Sequence, residues 1–372
     1  MVDCRDLCSC LDPSRCDKVC RHHVPRFVAR MREVGGLDFG NLQRVASRGI
    51  PKLPLVFPLV DHRSARQSKL DEPVIALSLY EVVNMATGKV HVATRDELSA
   101  RFRISPEATI VLSGIDKDRP IENWWGFKNR QDLLATLANL RIGLITAPNY
   151  SVFTDVPRTD NLHAMKRIGI AWAEMAAAGL PAALHINART EHDYGRWTTL
   201  IGERSEIEII AFEFATGSGF GERIKWHVDQ LCQLADRVKR PLAIIIRGGG
   251  RVIPVLRRHF AQVSLIETDS FFKTHRRRKA SLTESGRLKW SAHFTEKGAP
   301  LDELFSHNVA VVKRHYEMGG GSALAPRLQP VVRAAHRNDQ ATQRGFLRNL
   351  DLPGEAGRVA PDPKNMVIAT KA

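Results

Sequence analysis

The sequence contains no uninterrupted apolar run approaching the ~20 residues of a membrane helix. Its opening residues, MVDCRDLCSC, also lack the basic-then-apolar order of a secretory signal. Cytoplasmic residence without a membrane partner is therefore expected. No G-x-G-x-x-G opens a helix after a first strand, which removes the best reason to choose a dinucleotide fold. A Walker loop, an H-E-x-x-H pair and a Ser-His-Asp order are missing too, so those chemistries have no positive sign. Cysteine is almost absent from the body of the chain, where Cys232 stands alone.

The other five thiols, Cys4, Cys8, Cys10, Cys16 and Cys20, crowd the first twenty residues, and His22 and His23 follow at once. Without a secretory signal, such clustering points to a metal more than to disulfides. Residues 1–35 are too short and polar to hold themselves by apolar burial, so a bound ion is the natural source of order. Paired C-x-x-C knuckles are absent, as is the C-x-x-x-C-x-x-C order of radical enzymes that use S-adenosylmethionine. Structural zinc, an iron–sulfur cluster and unligated thiols stay open.

What is present describes a globular protein. The 372 residues are 43% hydrophobic and 26% charged, enough for one large barrel with appendages or for two domains. A net charge of +15 exceeds what solubility requires and favours a polyanionic partner such as nucleic acid. The densest basic run holds Lys273, Arg276, Arg277, Arg278 and Lys279, read as a nucleic-acid contact or as a solvated helix face.

The chain is organised around Ile142 to Arg189, which reads as strand, polar loop, helix, turn and strand. Apolar runs start near residues 74, 109, 142, 182, 207, 242 and 263, with helical patterns between them. Aliphatic runs such as IEIIAF and LAIII are what parallel strands covered on both faces look like. The expected fold is α/β, a (β/α)8-like barrel whose eighth strand is either hidden near Leu55 to Leu59 or missing. An open doubly wound sheet is the competitor. The expected organisation is a cysteine-rich metal-binding segment at 1–35, a linker at 36–72 and the barrel at 73–280. A helical extension at 281–318 and an irregular basic tail at 319–372 complete it. Thr94 with Glu97 three residues on forms a capping-box pattern before one helix.

In a barrel, ligands meet the carboxyl ends of the strands, because the loops converge there. Those ends carry Asn149, Asp155, Arg158, Asn187, Glu213, Glu267 and Asp269 as candidate catalytic groups. Carboxylates there can act as acid, base or nucleophile, or can simply pair with arginines. Arg189, Arg247, Gly248, Gly249 and Lys273 suit an anion: guanidinium clamps oxyanions, and glycines expose backbone amides. The bland alternative for the glycines is a turn that ends a strand. Trp124 and Trp125, placed in the loop after the strand near 109, can stack on a base or close the mouth. His185 alternates with Asn187 along a strand and is a weaker acid–base candidate.

Pro148, Asn149, Tyr150, Ser151, Asp155, Pro157, Arg158 and Asn187 resemble a segment of an uncharacterised family of bacterial and phage proteins. That family shares a P-N-Y-S…D-x-P-R segment, an amphipathic helix and a strand ending near asparagine. A looser similarity links the chain to the tRNA-guanine transglycosylases and their DNA-acting relatives. Those combine a basic surface, a rim carboxylate nucleophile and a cysteine zinc site, although here the cysteines precede the barrel. The basic charge, the anion-suited arginines and glycines and the rim carboxylates together point to a nucleic-acid- or nucleotide-directed barrel enzyme, a modifying transferase or hydrolase. The alternatives are a non-enzymatic nucleic-acid-binding protein of a phage or mobile element, and a small-molecule barrel enzyme.

Overall fold

The computed structural model describes residues 24–62, 65–153 and 156–319. Cys4, Cys8, Cys10, Cys16, Cys20, Asp155 and residues 320–372 lie outside the described residues, so the expectations placed on them do too. Eight parallel strands close into a barrel in chain order. They are β1 Val56–Val60, β2 Val74–Ser78, β3 Thr109–Ser113 and β4 Leu144–Thr146. The circle continues through β5 Ala182–His185, β6 Ile209–Glu213, β7 Ala243–Arg247 and β8 Gln262–Glu267, which pairs back onto β1. The fold is thus a complete α/β barrel, and the open-sheet competitor is excluded.

The first strand is the one that sequence reading left inside a linker. Pro58 sits in the middle of β1 and cannot donate to a ladder, which argues against a central strand. The barrel accommodates it because β1 pairs with β8 up to Pro58 and with β2 only from Leu59. Every residue of β1 is buried.

Alternation along the strands divides the apolar residues into two cores. Phe57, Leu59, Ala76, Val111, Leu144, Ala183, Ala211, Ile245 and Ile266 fill the barrel interior. Their neighbours in sequence, such as Val60, Leu112, Leu184, Phe212 and Ile246, face the surrounding helices. Those helices are α1 Val24–Val34, α2 Arg95–Phe102, α3 Asp118–Gly126, α4 Arg130–Asn139 and α5 Arg158–Ala177. After them come α6 Glu191–Glu203, α7 Gly221–Val238, α8 Asp269–His275 and α9 Asp302–Glu317. The Thr94–Glu97 capping box is formed at α2. A hairpin, β9 Arg278–Leu282 with β10 Leu288–Ala292, precedes α9, so the extension expected to be helical is part sheet.

Trp124 and Trp125 are helical, near the end of α3, and not in a loop. Pro120 and Gly126 disguise that helix in the sequence. Trp124 is fully buried, while the Trp125 indole donates to Glu33 of α1 at 2.5 Å. That contact belongs to a latch between α1 and α5. Arg30 can only donate, so His163 Nδ1 accepts from it at 2.9 Å and Nε2–H goes to Glu33 at 2.7 Å. Burial, with Arg30 and Arg167 close by, pushes His163 down to about 4. Among the described residues no helix is long and apolar enough to cross a membrane.

Candidate active site at the carboxyl ends of the strands

On β5, β6 and β7 the interior row ends in a polar residue. His185 continues the row of Ala183, Glu213 that of Ile209 and Ala211, and Arg247 that of Ile245, so all three crown the barrel core. Glu213 and Arg247 are register partners on adjacent strands. Beside this crown lies a cavity of about 60 Å³ lined by Asn149, Ser151, His185, Asn187, Arg189, Glu213, Thr216 and Ser218, among others. It has room for a few water-sized groups.

Most of these side chains are held by hydrogen bonds to segments that follow other strands. Asn187 donates to the Tyr150 carbonyl at 2.8 Å, and Arg189 Nε to the Val152 carbonyl at 2.8 Å. Both bonds tie the exit of β5 to the exit of β4. Ser151 donates to Asp118 at 2.7 Å, and Asn149 Oδ1 accepts from the Asp116 amide at 3.4 Å. Thr216 donates to Glu213 at 2.7 Å, and Arg247 reaches the Ile115 carbonyl at 2.6 Å. Arg247 thereby spans the mouth from β7 to the loop after β3.

The electrostatics follow from burial. His185 has no charged partner to offset desolvation, and burial pushes it down to about 3, so it is a neutral imidazole at physiological pH. Its Nδ1 makes no hydrogen bond. An unpaired buried polar atom at a cavity wall is costly unless a ligand or water meets it. Burial also lowers Arg189 and Arg247, with Glu213 working against the trend in both. Glu213, two half-buried guanidinium groups and a neutral imidazole can bind an oxyanion and move a proton beside it.

The remaining candidates divide. Arg158 does not line the cavity: it is buried in an ion pair with Asp193 at 2.5 Å, both side chains at most 4% exposed. The other Asp193 oxygen accepts from the amides of Arg189 and Thr190, capping α6. Arg158 therefore acts on the site only by fixing Asp193 and, through it, the backbone of Arg189. Glu267 falls one residue off the interior row, beside Ile266, and accepts from the Ser270 amide at 3.0 Å. Asp269 and Lys273 lie on α8 after it and are not among the groups lining the cavity.

Gly248 and Gly249 have φ of +75° and +66°, and a Cβ at either would strike Ala215 or Phe214 at under 3 Å. Close packing of the loop after β6 accounts for both, with no anion required. Arg276 and Arg278 are exposed and Arg277 and Lys279 half-buried, leading from α8 into β9. Thr216 and Ser218 were missed by sequence reading. The signal was available: small polar residues in ATGSGFG begin two residues after Glu213 at a strand exit.

The chain matches no protein-family model and no curated protein.

Proposed function

We propose that this protein is an enzyme acting on a nucleic acid or a nucleotide-derived substrate, with base modification of the transglycosylase type as its chemistry. One observation carries the reading: Glu213, the unpaired neutral His185 and Arg189 converge on one polar cavity at the strand exits. Arg189 and Arg247 bind the phosphate or another oxyanion of the substrate. Glu213 supplies the carboxylate, as nucleophile or general base, and Asn149 and Asn187 orient the reacting group. His185 serves as a neutral hydrogen-bonding group, since its depressed pKa keeps imidazolium out of the cycle. Asp155 and Arg158 are proposed to serve the same machinery, Arg158 as a positioning residue. The cysteine segment is proposed to hold zinc or an iron–sulfur cluster through Cys4, Cys8, Cys10, Cys16 and Cys20.

A second reading has its own support. The hairpin β9–β10 and the run before it expose Arg276, Arg278, Arg287 and Lys289, and Phe294 beyond them is 86% exposed. Basic groups interleaved with an exposed aromatic suit nucleic acid without any catalysis, as in a binding protein of a phage or mobile element.

Nucleoside analysis by mass spectrometry separates the two. Total RNA and DNA are digested from cells expressing the wild-type chain or Glu213→Gln. The enzyme reading expects a nucleoside gained or lost with the wild type and restored to control levels with the variant. Identical profiles for both, with oligonucleotide retained by both, support the binding protein instead.

A further inference from the structure

We infer that Asp61, His62 and Glu81 form a binding site for one divalent first-row cation at the exits of β1 and β2. Asp61 and His62 directly follow the last residue of β1. Glu81 sits in the one-turn helix Leu79–Val82 that directly follows β2, where Ser78 caps the turn by accepting from the Tyr80 amide. Strands β1 and β2 are paired through Val60↔Leu77, so their exits lie side by side and bring the three residues together. One potential ligand atom from each lies within 4.8 Å of the other two.

His62 is the group that points to a cation. Its Nδ1 lies 3.3 Å from Asp61 Oδ1 and in contact with Glu81 Oε2, yet it makes no hydrogen bond. The buried nitrogen is thus left without a hydrogen-bond partner between the two carboxylates. A cation on the nitrogen lone pair, shared with the carboxylates, supplies the partner that the buried nitrogen lacks. The ring packs edge-on against Phe102, with centroids 5.9 Å apart.

The donor set selects the ion. Two carboxylates neutralise a divalent charge, and an imidazole favours Mn, Fe or Zn over Mg or Ca. The three side chains are 19–29% exposed, which leaves faces for water or a substrate oxygen to complete the coordination. None of the three lines the cavity at β5 and β6, so this inference stands whether or not the proposed activity does.

Electron paramagnetic resonance of Mn2+ titrated into the full chain tests it. Mn2+ is chosen because oxygen and imidazole ligands suit it, whereas the thiolates of the cysteine segment do not. The expected result is one bound Mn2+ per chain, with nitrogen modulation in the spin echo from the coordinated imidazole. Asp61→Asn and Glu81→Gln should weaken binding at least about tenfold, and His62→Ala should remove the nitrogen modulation. Circular dichroism verifies that each variant folds, and the wild-type measurement decides even where one does not. A free-ion signal undiminished by the wild type, or bound Mn2+ without nitrogen modulation, overturns the site. Folded Glu81→Gln with wild-type affinity overturns it as well.

Discussion

Glu267 shows how one buried side chain sets a pH dependence for the whole fold. Burial raises its carboxyl to about 7, hydrogen bonds from Ser270 pull the other way, and Asp269 adds to the rise. The folded state thus holds this proton more tightly than the unfolded chain does. The resulting stabilisation is complete below the ordinary value of 4.5 and is lost as pH climbs through about 7. Its size is on the order of 3 kcal/mol. Glu267→Gln keeps an oxygen for the Ser270 amide and removes the titration. Thermal unfolding from pH 4 to 8 should show wild type losing stability over that range relative to the variant, and parallel curves would refute the assignment. Glu213 and Glu267 looked equivalent in the sequence, each ending an aliphatic strand. Only the pleat separates them: Glu213 follows the interior residue Ala211 by two, whereas Glu267 follows the interior residue Ile266 by one. Both faces of a barrel strand are apolar, so composition carries no sign of which face a terminal carboxylate takes. Arg158 was legible as important and not as buried, because its partner Asp193 lies on another helix.

The loop from β6 to α7 is the element on which the cavity depends. It supplies Thr216 and Ser218 to the lining and crosses over Gly248 and Gly249. At Gly219 it packs so tightly that a Cβ would stand 1.7 Å from the Phe214 carbonyl oxygen. Gly219→Ala must therefore displace the loop, at a cost of about 1–3 kcal/mol. Gly217→Ala, whose Cβ would meet only an Arg223 nitrogen at 3.5 Å, provides the matched control. Urea unfolding should separate the pair, with Gly219→Ala destabilised and Gly217→Ala near wild type; equal midpoints would show that the loop is not held in this conformation. Elements with complete local signals were readable in advance. The Thr94–Glu97 capping box is formed at the start of α2. Those with conflicting signals were read only as one of two options or not at all: Pro58 left β1 an alternative to a missing strand, and Pro120 with Gly126 hid α3. In each case long-range burial outweighed an unfavourable local preference, a balance that no short window contains.

Closure of the barrel divides the molecule into a site and a surface, and its charge acts mainly through the second. The cavity balances Glu213 against Arg189, so the excess of +15 must be carried elsewhere. Among the described residues, the hairpin β9–β10 concentrates part of it. Register pairs Arg278 with Ala292 and Ser281 with Lys289, so no acidic side chain stands opposite either cation. Arg278, Arg287 and Lys289 are exposed and Lys279 half-buried. If nucleic acid meets this face, each phosphate contact releases a condensed counterion, and log K falls with log salt by about 0.7 per contact for a single strand. Replacing Arg278, Lys279, Arg287 and Lys289 together by Gln should weaken binding of a fluorescent single-stranded oligonucleotide. It should also flatten the salt dependence, by an amount that counts the phosphates these residues engage. The replaced side chains are at the surface, so unfolding should be nearly unchanged, within about 0.5 kcal/mol per site. An unaltered salt slope would remove the hairpin from the binding face and leave the charge of residues 320–372 as the remaining candidate, which deletion of that segment would then measure.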